Sequence, residues 1–386
     1  MYTDRNMQYS YLRAVACIAI ILLHICNAAE ILYRDTITLT EKVISLSVVS
    51  CMMWAVPCFV MVSGALLLNP ERKITIGRIF SRYIRRMILA LAICCILFRG
   101  FDMVMNGEPL SIAFITDGIM KMLTAGSWAH LWYLYLLIGI YLLLPFYRKV
   151  AEHSTETELN YLLLIYFLFL SVLQITQLAG VQIGFYIHVS TIYPFYFFAG
   201  YMIANRKKPV SGAVICTMLT AGFAGVIICT WIRWAYQIEA LDCLLNYSSV
   251  FTVLLSCGIF ALFCNGAESG NGAESENGAE SGNEAASGNE AASGNEAVSG
   301  NKAGNTGKKR AAGASMAGKI LASIDENSFG IYLFHMILVR GILRYYGLNP
   351  FQYGAWMFLA LTAVVFVITY LVIRLLRLIP AVRTVL

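Results

Sequence analysis

Long uninterrupted runs of apolar residues, not alternating apolar and polar positions, dominate this sequence. A membrane-spanning helix needs about 20 mainly apolar residues, and only helices and closed barrels satisfy every backbone polar group inside lipid. Barrel strands would alternate apolar and polar residues over short segments, so the continuous runs predict helices. We identify ten runs, of which the third, fourth and sixth are short: 9–28, 45–68, 83–98, 131–146, 159–178, 191–204, 210–236, 247–264, 329–346 and 351–378.

The composition agrees with a protein built for lipid. Hydrophobic residues make up 59% of the chain and charged residues only 13%, whereas about a quarter of an ordinary soluble domain is charged. The net charge of +6 does not indicate nucleic-acid binding, because the basic residues cluster in loops between the apolar runs. Most of the eleven cysteines lie within those runs, which favours packing roles over disulfide bonds.

The distribution of Lys and Arg predicts the orientation of the chain. Loops on the cytoplasmic side of a membrane carry an excess of these residues. With ten spans and a cytoplasmic N-terminus, most of the 28 basic residues fall on that side, three each in 82–86 and 206–208. The sequence therefore predicts an all-α membrane protein with about ten transmembrane helices, both termini cytoplasmic, in the cell (plasma or inner) membrane.

A polar, repetitive segment interrupts the apolar pattern between residues 265 and 318. Its repeats resemble the unit SGNEAA and contain no aromatic residue and no large aliphatic residue beyond Val298. Such a composition cannot bury a core, so we predict a disordered cytoplasmic loop at 265–318. Residues 1–264 then hold the first eight transmembrane helices, and residues 319–386 hold the last two helices of the same domain.

The first apolar run contains two ionisable residues, Arg13 and His24. Ionisable groups inside a membrane are costly and by default indicate function. On a helix the two side chains lie within about 20° of one direction, with an axial separation of about 16 Å. An imidazole takes up and releases a proton near neutral pH, which suits a general base. The alternative is that each side chain only satisfies a partner inside the bundle.

A second group of basic residues leads into the third run. Arg78, Arg82 and Arg85 have helical spacing, and guanidinium groups aligned on one helical face match phosphates in bidentate fashion. The alternative is a topological role, as positive charges on the cytoplasmic side.

Two further histidines begin later runs. His335 follows Tyr332 by three residues, so both side chains share a helical face and are predicted to line one cavity. His130 precedes Trp132 and Tyr133, and for this segment we favour an aromatic belt at the membrane surface. The sequence contains no nucleotide-binding loop, zinc-ligand pattern or GxSxG nucleophile motif, and no metal site is predicted.

Taken in order, these residues resemble the integral-membrane acyltransferase 3 family over nearly the whole chain apart from the repeats. The resemblance rests on Arg13 with His24, on VPCFVMVSG at 56–64, on Arg82 with Arg85, and on later segments, LWY at 131–133 with YLLLP at 141–145, and GIYLFH at 330–335.

The resemblance implies a ten-helix bundle that transfers an acyl group, usually acetyl, to a hydroxyl. It implies an acyl-CoA such as acetyl-CoA as co-substrate, with no permanently bound cofactor. The implied acceptor is an extracytoplasmic glycan or lipid-linked sugar. His24 would be the catalytic histidine, and Arg13, its partner in the first span, would bind the donor with Arg82 and Arg85.

Three more residues are expected near the reacting groups. Asn27 lies one turn beyond His24 and would orient its ring; the alternative is that it is only an amide at the end of the helix. Tyr332 and His335 are candidates to donate hydrogen bonds to the oxyanion that forms during acyl transfer.

A transporter or flippase of a small polar solute or lipid-linked sugar is the alternative function. Such a protein is expected to contain inverted repeats or broken helices around a midplane site, and no convincing internal repeat of helices is evident in the sequence. Transport that survives His24→Ala would favour this alternative, whereas loss of acetyl transfer in that variant would favour the enzyme.

Overall fold

The computed structural model describes residues 4–109, 111–181, 191–276 and 316–385. These residues form α-helices joined by short π- and 3-10-helical turns, and no strand occurs among them. The first half contains α1 (Asp4–Tyr33), α2 (Leu39–Met52), α3 (Ala55–Leu67), α4 (Ile76–Arg78), α5 (Arg85–Met105), α6 (Ala113–Leu123), α7 (Trp132–His153) and α8 (Glu156–Phe167). The second half contains α9 (Tyr193–Ala204), α10 (Gly212–Ala235), α11 (Val250–Glu276), α12 (Met316–Arg340), α13 (Ala355–Leu376) and α14 (Pro380–Val385).

The chain is a multi-pass membrane protein. Seven helical stretches among the described residues are long and apolar enough to cross a membrane: Met7–Tyr33, Leu39–Leu67, Ile76–Met105, Ala129–His153, Glu156–Ala179, Gly212–Ala235 and Ala355–Leu376. The other three predicted spans fall on α9, which has only 12 residues, on α11, and on α12, which carries Asp325 and Glu326. The all-helical membrane fold is confirmed, and the count of ten spans stays a prediction.

The second predicted span, 45–68, is broken into two helices. α2 ends at Met52 and α3 begins at Ala55. Pro57 explains the break, because proline has no N–H to donate and its ring clashes with the carbonyl group four residues earlier, that of Met53.

α1 lies at the centre of the bundle and packs against α2, α3, α11, α12 and α13. Its buried face includes Leu12, Ala16, Ile20 and Ile25. Other side chains of the same helix, such as Ile18, remain exposed, as expected for a surface that meets lipid acyl chains. Arg13 and His24 therefore belong to a helix with neighbours on several sides.

Two glycines allow α3 and α9 to approach closely. A Cβ atom on Gly64 would overlap the carbonyl oxygen of Phe197, and one on Gly200 would overlap that of Met61. Small residues at such contacts are typical of packed membrane helices, since lipid supplies no hydrophobic force to drive helices together. The cysteines also act as packing residues, and no disulfide joins any of the eleven.

Two helices extend into the segment that is predicted as a disordered loop, 265–318, and the disorder of this segment stays a prediction. Within 265–318, α11 continues to Glu276 and α12 begins at Met316. The α11 extension contains Gly266, Gly270 and Gly272, which disfavour helix, but it grows from an existing helix and so avoids the cost of nucleation. The rest of the predicted loop, 277–315, lies outside the described residues.

Candidate active site

Three histidines from distant parts of the chain meet inside the bundle. His24 lies in α1, His335 in α12, and His130 in a 3-10 turn at Ala129–Leu131 just before α7. The ring centroids of His24 and His335 are 5.1 Å apart, and His130 lies 5.7 Å from His335 and 6.2 Å from His24. His130 and His335 are fully buried, and His24 is partly exposed. We call these three side chains the histidine cluster.

Backbone carbonyl groups fix the tautomers of the two buried rings. Nε2 of His130 lies 3.0 Å from the carbonyl oxygen of Leu333. Nδ1 of His335 lies 3.2 Å from the carbonyl oxygen of Ile331. A carbonyl oxygen only accepts hydrogen bonds, so each of these two nitrogens carries a proton. In a neutral ring, the opposite nitrogen then has a lone pair and no proton.

These opposite nitrogens have no partner in the described part of the chain. They are Nδ1 of His130 and Nε2 of His335, and both are buried. A buried acceptor without a partner is costly, so the cluster is suited to receive a hydroxyl or an N–H group. The described residues contain no group of three or more His, Cys, Asp or Glu side chains arranged to hold a metal ion.

Tyr332 links the cluster to its surroundings. Its hydroxyl donates a 2.5 Å hydrogen bond to the carbonyl oxygen of His130, and its ring centroid lies 6.1 Å from that of His335. Tyr332 and His335 are the two predicted oxyanion donors. In this structure both donate their hydrogen bonds to backbone carbonyl groups instead. Asn27, predicted to orient the His24 ring, lies one turn further along α1 and is partly exposed.

Sequence reasoning missed the role of His130 in this arrangement. It favoured an aromatic belt for the segment around Trp132 and Tyr133, but Tyr133 is buried and its ring centroid lies 5.2 Å from that of Tyr332. The sequence did contain a signal, because a histidine that opens an apolar run is as unfavourable in lipid as His24 or His335.

Arg13 is neutralised by an acidic partner that the sequence analysis did not identify. Its Nη1 atom lies 2.5 Å from Oδ1 of Asp325, and the second oxygen of that carboxylate accepts a 2.7 Å hydrogen bond from Ser10. The two charged side chains are only 23% and 10% exposed. Opposite charges in such a setting compensate each other, whereas either one alone would be strongly unfavourable. The pair joins α1 to α12.

A cavity of about 300 Å³ begins at this ion pair and reaches toward the histidine cluster. Arg13, Asp325, Ser63, Tyr133, Tyr141 and Tyr332 contribute to its walls. Tyr332 also donates to the carbonyl oxygen of His130, so this side chain belongs both to the wall of the central cavity and to the surroundings of the cluster.

A second cavity, of about 530 Å³, is strongly basic. It lies where a π-helical turn at Ile79–Ile84 leads into α5. Arg86 and Glu326 line both this basic cavity and the central cavity, so the two adjoin. The arginines in its walls are Arg72, Arg78, Arg82, Arg85, Arg86, Arg377 and Arg383. The predicted pair, Arg82 and Arg85, therefore shares one cavity.

A polar network closes the opposite end of the bundle, next to His130. The two carboxylate oxygens of Asp102 accept hydrogen bonds from Arg340, at 2.9 Å, and from the indole N–H of Trp128, at 2.8 Å. The Arg340 guanidinium lies 4.3 Å from the centroid of the Trp128 ring, where a cation–π contact adds to the ion pair. The cluster thus lies between a basic end and this network.

Comparison with known proteins gives one match. A family model described as an acyltransferase domain, that of the acyltransferase 3 family, matches residues 8–275. No curated protein and no solved structure matches the chain. The matched range includes His24, Arg82 and His130, but it ends before α12, which supplies Asp325 and His335.

The ion pair between Arg13 and Asp325 gives a testable prediction about stability. Asp325→Asn leaves the Arg13 charge without its partner, so we expect a lower melting temperature, corresponding to a loss of at most about 3 kcal/mol because Arg13 is 23% exposed. Thermal unfolding of the purified protein in detergent measures the change. Arg13→Gln combined with Asp325→Asn should lose less than the sum of the two single changes.

Glu152→Gln is the control, because Glu152 is an exposed carboxylate that forms no ion pair among the described residues and lines neither cavity. An unchanged melting temperature in Asp325→Asn, or strict additivity in the double variant, would show that the pair does not hold α1 to α12.

Proposed function

This chain belongs to the acyltransferase 3 family, and on that premise we propose that it is an integral-membrane O-acyltransferase, in particular an O-acetyltransferase. The proposed donor is cytoplasmic acetyl-CoA or another acyl-CoA. The proposed acceptor is a hydroxyl of a cell-surface polysaccharide, a lipid-linked sugar or a related envelope molecule. The observation that carries the proposal is the series formed by the basic cavity, the central cavity and the histidine cluster in one bundle.

The basic cavity suits the nucleotide end of acyl-CoA. That end carries a diphosphate and a further phosphate, and guanidinium groups bind phosphates through paired charge-assisted hydrogen bonds. Arg82 and Arg85 are exposed in this cavity and form no ion pair among the described residues. We assign the phosphates to these two side chains.

The central cavity suits the pantetheine arm of the same donor. Arg13 in its wall and His24 in the cluster are about 16 Å apart along α1, a distance that an extended pantetheine arm spans. In this assignment Arg13 stays paired with Asp325 while it contacts the donor. It therefore acts as a polar residue in the cavity wall and not as a free cation.

The proposed chemistry is direct transfer with His24 as general base. A ring nitrogen of His24 takes the proton of the acceptor hydroxyl while the hydroxyl oxygen attacks the carbonyl carbon of the thioester. The tetrahedral intermediate then collapses, the carbon–sulfur bond breaks, and the CoA thiolate leaves with the proton that the His24 imidazolium returns to it. A short-lived acyl-histidine at His24 is the variant of this route.

The other two histidines are assigned to positioning. The single N–H group of each neutral ring donates to a backbone carbonyl oxygen, that of Leu333 for His130 and that of Ile331 for His335. The remaining nitrogen of each ring can therefore only accept a hydrogen bond. They therefore fit the hydroxyl groups of an acceptor sugar or the N–H of His24, and they are poor oxyanion donors in this state.

The proposed topology has ten spans with both termini cytoplasmic, in the cell membrane. The lysine and arginine distribution supports it, and so does the position of the basic cavity, since acyl-CoA is a cytoplasmic metabolite. Fluorescent-protein fusions after residue 207 should fluoresce, and alkaline-phosphatase fusions after residue 347 should be active. The reverse pattern would contradict this orientation.

The proposal predicts distinct kinetic effects for two variants. His24→Ala should lower kcat for transfer of labelled acetyl from acetyl-CoA by roughly 10²–10⁴-fold, the usual contribution of a general base. Arg82→Ala should raise KM for acetyl-CoA by roughly tenfold, because it removes a phosphate contact. The assay uses membranes that contain the acceptor, and mass spectrometry of the surface glycans identifies the product.

Arg206→Ala is the control, since Arg206 lines a separate basic pocket with Lys207 and Lys208. Its kinetic constants should match the unmodified protein. Full acetyl transfer by His24→Ala would contradict the proposed base. If the protein instead transports a solute, transfers no acetyl group, and keeps its transport in His24→Ala, it is a transporter.

A further inference from the structure

The last described helix, α14, folds back onto the start of α5. Nε of Arg86 donates a 2.9 Å hydrogen bond to the carbonyl oxygen of Val385. The Val385 side chain is buried as part of the main hydrophobic core, and Val382 packs against that core. These contacts fix the position of α14 on the bundle.

The end of α13 is tied to the bundle at the same place. Arg377 donates hydrogen bonds to the carbonyl oxygen of Glu326, at 2.5 Å, and to the side-chain oxygen of Asn327, at 3.2 Å. Residues 377–385 therefore border the basic cavity and are anchored at each end, and we call this segment the strap.

The strap forms one wall of the basic cavity. Arg377, Arg383 and Thr384 line it from this side, and Arg78, Arg82 and Arg85 line it from the segment that leads into α5. Arg383 is exposed and takes part in no ion pair among the described residues. Glu326 is the single acidic residue among the lining residues, so the walls carry a large excess of positive charge.

Such an excess of like charge is unfavourable unless an anion occupies the space between the walls. Arginines from two separate segments of the cavity wall hold a ligand with several separated phosphates better than one segment does, because each phosphate has its own guanidinium. The nucleotide end of acyl-CoA has this form, with a diphosphate and a separate phosphate on the ribose.

We propose that the strap is the second half of the donor site, and that Arg383 binds a phosphate of the acyl-CoA nucleotide opposite Arg82 and Arg85. The inference rests on the proposed function for the identity of the donor. It adds a binding residue from a segment beyond the range that matches the family model, which ends at residue 275.

The test compares binding of CoA with binding of pantetheine, which lacks the nucleotide and its phosphates. Arg383→Gln should raise the Kd for CoA by roughly tenfold, the effect of one lost charge-assisted contact, and Arg383→Glu should raise it further. The Kd for pantetheine should not change. Calorimetry on the full chain in nanodiscs of uncharged phosphatidylcholine provides both constants without need of the acceptor.

Arg374→Gln is the matched control. Arg374 lies one helical turn before Arg377, is exposed, and does not line the basic cavity. Its affinity for CoA should equal that of the unmodified protein. The inference would be overturned if Arg383→Gln left the Kd for CoA unchanged. It would also be overturned if this variant lost as much affinity for pantetheine as for CoA.

The phosphate groups of anionic lipids are the other ligand that Arg383 could bind. The same titrations in nanodiscs with phosphatidylglycerol separate the two ligands. If Arg383→Gln changes CoA affinity only in the anionic discs, the arginine binds lipid headgroups and the inference is wrong. If the unmodified protein binds CoA but transfers no acetyl group to any acceptor, the proposed function is wrong while the strap assignment is still decided by the Kd values.

Discussion

The ion pair between Arg13 and Asp325 joins α1, at the start of the chain, to α12, which follows most of the repeat segment. A charged arginine in the interior of a membrane bundle needs a partner, and Asp325 provides it at 2.5 Å. The same contact fixes α1 beside α12. His24 and His335, about three helical turns further along these two helices, are thereby brought next to each other. The histidine cluster thus depends on a charge pair that lies outside it.

The arrangement along the bundle follows from where charge is tolerated. At one end, Arg82, Arg85 and Arg383 of the basic cavity are exposed and form no ion pair among the described residues, so an anion can reach them. In the middle, Arg13 is paired, the rings of His130 and His335 are held by backbone carbonyl groups, and the ring of His24 lies beside them. At the other end, Asp102 and Arg340 are paired again. A polyanionic donor therefore has one favourable end at which to bind, and the reactive groups lie in the drier interior.

Sequence alone predicted the helices and part of the site, because both signals are local. Apolar runs define helices directly, and the spacing of Arg13 and His24 places both on one face of α1. The break before α3 was also accessible in principle, since Pro57 constrains the backbone wherever it occurs. The family match then supports the resemblance that these residues carry.

The remaining features depend on contacts between distant segments, which no local pattern specifies. Asp325 is 312 positions from Arg13, and His130 meets the backbone of Leu333 from 203 positions away. An acidic residue before an apolar run and a histidine beside Trp132 each have an ordinary local explanation. Their roles become visible only when α1, α7 and α12 are packed together.

A cryo-EM structure with a bound CoA analogue tests the central claim most directly. A CoA thioether that carries a ketone in place of the thioester would mimic the donor without reacting. The account predicts that the phosphates lie in the basic cavity, that the pantetheine arm passes Arg13, and that the ketone carbon lies within about 4 Å of a His24 ring nitrogen. An analogue bound with its ketone away from the histidine cluster would contradict it.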